Sequence, residues 1–232
     1  MESDEKIREA VLKTRIIRAP KQSLATFGAT NIYYYLVAEA AYNELISGNE
    51  TVIREGRVVA ERPRIVTPYY LSRVQGFSAE AKKYFEILMN SFSPNSPGLY
   101  YAYRNEPKEL NVVSDTIGAV LEKLNTEIDR KGDPLATIIQ GEDMLWDVSI
   151  LKFIYEITER SVRDNVQQLN QRGLLKMDTS GVPADARIRI EGLFELVQKG
   201  EMEPADLKTE LDRWGVFEEY QDRFFGLFKS KH

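Results

Sequence analysis

Residue spacing changes character at Gly141, and this restricts the fold more than any other feature of the chain. Before it, short β-branched and aromatic runs alternate with turns and single amphipathic helices. After it, apolar residues recur at three- and four-residue intervals almost to the end. A chain that segregates its strands and helices in this way is expected to be α+β. The expected form is an N-terminal antiparallel or mixed sheet flanked by helices, followed by a mostly helical C-terminal part. At 232 residues a sizeable core is available without a metal or disulfide. The pattern divides the chain into an amphipathic helix over 1–14, an α+β core domain over 15–180 and an acidic helical segment over 181–232.

Within the first part, Ile7, Val11 and Leu12 give a short helix over Ser3 to Thr14 one apolar side. Ile32-Tyr33-Tyr34-Tyr35-Leu36-Val37 has the β-branched and aromatic content of a strand. Thr51 to Glu61 reads as a hairpin turning at Glu55-Gly56, because glycine accepts positive φ. Arg64 to Thr67 would extend its second strand past Pro63. A short helix is expected over Ala40 to Ser47, closed by Gly48-Asn49. Another is expected after Ser78, carrying Tyr84, Phe85, Leu88 and Phe92. Leu99 to Arg104 and Leu110 to Val113 read as separate strands. Ser114 or Asp115 would cap the next helix, which Lys131-Gly132-Asp133-Pro134 ends, and Leu135 to Ile139 is a buried strand. Beyond Gly141, Asp143 to Glu159 and Arg160 to Arg172 read as two helices, the second capped by Ser161. Two or three more are expected over Ile190 to Phe228, broken near Gly200 to Pro204 and at Gly215.

Composition removes several chemistries. The chain has no cysteine, so disulfides, thiolate metal sites and cysteine nucleophiles are excluded. The single histidine is the last residue, His232, which argues against a histidine-based triad. Acid–base work would fall to Asp, Glu, Lys or Tyr, and a metal would need oxygen ligands. No metal site and no cofactor is expected, since phosphate-loop and dinucleotide fingerprints are absent. The net charge of −5 argues against a dominant hold on nucleic acid or an anionic membrane. The acidic start lacks an apolar signal segment and no apolar run is long enough to span a bilayer. The expected compartment is therefore the cytoplasm, with no membrane association.

One segment carries a local resemblance. Ile150 to Leu175, containing Arg163-Asp164-Asn165-Val166-Gln167-Gln168-Leu169-Asn170-Gln171-Arg172-Gly173-Leu174-Leu175, resembles the recognition helix and exit strand of a winged-helix DNA-binding domain. The resemblance implies that Val162, Val166 and Leu169 face the core. It places Arg163, Gln167, Asn170 and Gln171 outward, where they would read base edges. Asp178 to Ile190 would be the wing. The usual middle helix is missing or fused. No resemblance covers the whole chain.

Other candidates come from the residues directly. Tyr33-Tyr34-Tyr35, Tyr69-Tyr70 and Tyr100-Tyr101-Tyr103 lie in or beside expected strands. Neighbours on a strand point to opposite faces, so these rings are either covered on both faces or exposed as a contact strip. Arg104 to Glu109 reads as a solvated turn with an ion pair. Glu39, Arg104 and Glu106 would be the catalytic set if they met in one pocket. Glu142 and Asp143 sit at a strand-to-helix junction, where the helix dipole favours carboxylates. The C-terminal helices carry Trp214, Phe217, Tyr220 and Phe224, which must bury against their own domain or anchor a partner. The leading expectation is a non-catalytic interaction or regulatory protein with a protein partner or a second copy. An enzyme using a carboxylate, Arg and Tyr site, with a divalent ion or none, and a winged-helix-like DNA binder are the alternatives.

Overall fold

The sheet grows from the Ile32 to Val37 run. A computed structural model describes residues 2–42, 50–73 and 96–229. By contacts the chain divides into two units, one of Met1–Arg62 with Tyr101–Asn165 and one of Pro63–Tyr100 with Val166–His232. The helices expected over Ala40 to Ser47 and after Ser78 fall largely or wholly on 43–49 and 74–95, outside the described residues.

In the first unit, α1 (Glu2–Lys13) leads into β1 (Arg15–Arg18). β2 (Thr30–Glu39), β3 (Thr51–Ala60), β6 (Tyr103–Val113) and β7 (Ala136–Gln140) complete a five-stranded sheet in the order β1-β7-β2-β3-β6. Its pairings are antiparallel except β2 with β7, which run parallel. A parallel pair needs a crossover, and α3 (Ile117–Lys131) precedes β7 for that purpose. The fold is thus α+β with a mixed sheet.

Strand alternation assigns the two faces. Ile32, Tyr34, Leu36, Val58 and Ala60 pack under Ile150, Phe153 and Ile157 of α4 (Trp146–Gln171). Val37, Ala136 and Ile138 point the other way, against Val120, Leu124 and Ile128 of α3. Helices therefore cover both faces of β2 and β7, and the tyrosine run splits between them. Tyr34 is buried, while Tyr33 and Tyr35 are half-buried.

Several local readings change in the structure. Glu55-Gly56 is no turn: β3 is one continuous strand, and Gly56 faces the Tyr34 ring. A Cβ there would overlap the Tyr34 hydroxyl, which donates to Asn105 Oδ1 at 3.1 Å. Gly56→Ala is expected to cost about 1–3 kcal/mol by overpacking, read in urea unfolding. Substituting Tyr34→Phe in the same background should recover part of that loss.

Arg104 to Glu109 is not a turn either. It is the middle of the edge strand β6, with a register shift between the pairs Glu55↔Glu109 and Gly56↔Pro107. A proline, charges and an irregular register are how proteins blunt an exposed sheet edge. Residues Asp143 to Arg172 hold one long helix, not two. Ser161, expected as a cap, instead donates to Ile157 O at 2.6 Å and accepts from Leu24 N–H at 3.0 Å. The cap of α3 is Thr116, one residue beyond the expected Asp115.

Burial and linkage together predict an alkaline transition in this unit. Burial, with the neighbouring Tyr103 phenol, pushes the Tyr101 phenol up to about 12. A folded-state value above the unfolded one, near 10, means stability is complete below pH ~10. It should fall as the pH rises from there to about 12. Tyr101→Phe should flatten that slope in melts followed across the range, whereas an unchanged slope would place its source elsewhere.

The second unit pairs β4 (Arg64–Val66) with β5 (Gly98–Tyr100) in a sheet of its own, so Arg64 to Val66 does not extend β3. α2 (Pro68–Ser72) follows β4. α5 (Ala184–Lys199) and α6 (Pro204–Trp214) end at Gly200 and Gly215, where the apolar spacing is interrupted, and α7 (Phe217–Lys229) follows. Their buried sides meet Val66 and Tyr70 in one core with Phe194, Leu207, Leu211 and Trp214. Among the described residues no helix is long and apolar enough to cross a membrane.

Candidate functional site

The carboxyl ends of the parallel strands β2 and β7 open onto a cleft of about 420 Å3 in the first unit. Crevices outside the carboxyl ends of parallel strands are recurrent ligand sites, because two chains diverge there and leave room between their following segments. β1 supplies Arg15, preceded by Lys13. β2 supplies Glu39 and then Ala40 and Ala41. β7 supplies Gln140 and then Gly141, Glu142 and Asp143. Ile117 at the start of α3 forms an apolar wall.

Register sets which side chains converge. Arg15 lies opposite Gln140, and Gln140 lies beside Val37 on the α3 face. Glu39, two residues beyond Val37, shares that face. Gly141 N–H donates to Val37 O at 3.0 Å, which holds the two strand ends together. A Cβ at residue 141 would overlap Ser149 Oγ, so the chain can pass α4 here only as glycine. Ser149 Oγ in turn lies 2.8 Å from Thr14 Oγ1, next to the start of β1.

Some of the lining charges are already engaged. Lys13 Nζ sits 2.8 Å from Glu142 and 2.9 Å from Glu9, and these carboxylates hold its ammonium above its ordinary pKa. Asp143 takes Arg54 at 2.7 Å and the Ala41 N–H at 3.3 Å. Arg54 also stacks over Trp146. Glu142 and Asp143 are therefore spent on cations as well as standing before α4. The side chains of Arg15, Glu39 and Gln140 have no hydrogen bond or ion pair to any described residue. No group of three or more Asp, Glu or His side chains is arranged for a metal among the described residues.

Glu39 does not meet Arg104 and Glu106. Glu39 pairs with Thr51, which faces Val113, while Arg104 faces Val59. Because β3 is one strand and not a hairpin, Thr51 and Val59 lie about 26 Å apart along it. Arg104 and Glu106 do come together: Glu106 accepts from Arg104 Nε at 2.8 Å and from Arg57. The Arg57 guanidinium, with Arg104 beside it, holds the Glu106 carboxyl below its ordinary pKa. This is a surface charge network on an edge strand.

The C-terminal aromatics face their own core. Trp214 and Phe224 are buried, and Phe217 and Tyr220 pack partly buried beside them. Arg163, Gln167, Asn170 and Gln171 are exposed as expected. Val162 and Val166 are exposed too, against expectation, because the inward positions are Ser161, Asn165 and Leu169. The segment expected as a wing is a tight turn, closed by the single bridge Met177↔Pro183, leading into α5. Asp178 organises it by accepting from the N–H groups of Ser180 and Val182.

Sequence reading reached Glu39 but missed Arg15 and Gln140, which come beside the end of β2 only through the parallel β2–β7 and antiparallel β1–β7 pairings. Comparison with protein-family models, curated proteins and solved structures found no match to this chain.

Proposed function

We propose that this chain is a non-catalytic ligand-binding protein that takes a small polar molecule in the cleft at the carboxyl ends of β2 and β7. One observation carries the reading. A guanidinium, a carboxylate and an amide share one sheet face, line one cleft and engage no other described residue. Polar groups converging on a concave site, with an apolar wall at Ile117, are what a small-molecule site requires. A cleft of 420 Å3 falls within the usual size range for such sites.

The test is amide-resolved NMR titration of the full chain with a library of small carboxylates, amines, amino acids and polyols. Binding should move the amides of Ala40, Ala41, Gly141 and Glu142 together. The same ligand should raise the melting temperature with concentration. If no compound moves those amides, the reading fails.

Contact with a protein partner is the second reading. It is supported by the exposed Leu110 and Val112 of β6 and by Leu151 and Tyr155 on the outer side of α4. If a second copy docks there, sedimentation should show concentration-dependent association that Leu151→Ser with Tyr155→Ser abolishes. A chain that stays monomeric throughout would remove self-association.

A further inference from the structure

We infer that the ligand of this cleft is a small zwitterion of the amino-acid class, its carboxylate held by Arg15 and its ammonium by Glu39. The inference rests on the ligand-binding reading above and narrows it.

The charge inventory of the cleft is the starting point. Five lining residues carry charge: Lys13, Arg15, Glu39, Glu142 and Asp143. Lys13 is taken by Glu142 and Glu9, and Asp143 by Arg54. What remains is one cation and one anion, Arg15 and Glu39, neither engaged with the other nor with another described residue. They are held apart by the sheet. Two strand spacings and two residues along the strand separate their Cα atoms, which places them about 12 Å apart. Arginine and glutamate side chains reaching inward shorten that gap to the span of a small molecule.

This arrangement discriminates by charge. A lone anion would meet Arg15 but would face the unpaired Glu39 carboxylate. A phosphate ester, with two negative charges, would be disfavoured further. A lone cation has the reverse problem with Arg15. A molecule carrying both charges satisfies both residues, and a guanidinium fork matches a carboxylate in two-point geometry. Gln140 lies on the strand between them and offers both a donor and an acceptor to the middle of the ligand. Ile117 gives an apolar side chain a wall to rest on.

The experiment is calorimetric titration of the full chain with each of the twenty standard amino acids. The tightest is then compared with its N-acetyl derivative, which has no ammonium, and with its amide, which has no carboxylate. Each derivative should bind about tenfold more weakly or worse, the loss of one charge-assisted contact. In Arg15→Gln the amide should bind as well as the free amino acid. In Glu39→Gln the N-acetyl derivative should do so. Both residues are exposed, and unchanged melting curves of the variants without ligand would show that the fold is kept. Should a polyol or a simple carboxylate move the cleft amides while no amino acid does, the zwitterion inference is wrong and the ligand-binding reading survives. Should nothing move those amides, both fall. Equal binding of the amino acid and its two derivatives would also overturn the inference.

Discussion

Glu210→Ala is expected to destabilise the C-terminal unit by about 3–5 kcal/mol, the usual cost of removing one partner from a buried ion pair. Glu210 lies on α6 and is 8 % exposed. Its carboxylate accepts from Tyr70 Oη at 2.9 Å, Arg189 Nη2 at 2.7 Å and Trp214 Nε1 at 3.2 Å. Arg213 Nη1 stands 3.6 Å away. Burial, reinforced by the Glu210 charge, pushes the Tyr70 phenol above its ordinary value. This single carboxylate therefore satisfies groups from α2, α5 and its own helix. Removing it strands a guanidinium whose Nη1 already lacks a partner, as does Nε of Arg213.

The discriminating measurement is urea unfolding of Glu210→Ala, Glu210→Gln and the double variant Glu210→Leu with Arg189→Met. The chain has two tryptophans, and Trp214 reports this unit once Trp146 is replaced by Phe. Glu210→Gln keeps an acceptor for Arg189 and should lose less than Glu210→Ala. The double variant removes both charges and should recover much of the loss, because an apolar pair of similar volume is often as stable as a buried ion pair. A loss below about 1 kcal/mol for Glu210→Ala would mean that water replaces the carboxylate, and that the network does not hold the unit together.

The fate of each sequence expectation follows from the range of the interaction behind it. Elements specified by their own spacing were legible: the strand at Ile32 to Val37, the helix closed at Gly132, and the three C-terminal helices with breaks at Gly200 and Gly215. Where a distant partner decides, local signals pointed elsewhere. Gly56 reads as a turn because glycine is a turn residue, yet it is there to admit the Tyr34 ring. Ser161 reads as a cap because serine prefers caps, yet it closes a contact to Leu24, which lies 137 residues away in sequence. Pro107 and the charges around it read as a loop, although they are equally the marks of an edge strand. The cleft was half legible. Glu39 stood out as a carboxylate at a strand end, and Glu142 with Asp143 as a carboxylate pair at a strand-to-helix junction. Their meeting with Arg15 depends on a parallel pairing between strands nearly a hundred residues apart, and no periodicity encodes that.

Asn165→Leu is expected to destabilise the N-terminal unit by about 3 kcal/mol or more. Asn165 is 1 % exposed, and its amide ties two separate segments, at Leu24 to Thr26 and at Tyr101, to α4. Nδ2 donates to Leu24 O at 2.9 Å and to Thr26 Oγ1 at 2.8 Å. Oδ1 accepts from Tyr101 Oη at 2.7 Å. Leucine shares the branching of asparagine but is bulkier, so no cavity opens and overpacking adds to the loss. What remains is three polar groups left without a partner, each costing about 1–3 kcal/mol where it is buried. Asn165→Asp separates hydrogen bonding from shape. Its carboxylate still accepts from Tyr101 but opposes the Leu24 carbonyl, so stability should rise as the pH falls and the acid protonates into a donor. Tyr101→Phe in the Asn165→Leu background completes the cycle. If the double variant is no less stable than Asn165→Leu alone, the phenol's stake in the fold runs through this amide. If the two losses add in full, the Tyr101 hydroxyl contributes through something other than Asn165, since phenylalanine keeps the ring and its packing against the Ile150 and Phe153 core.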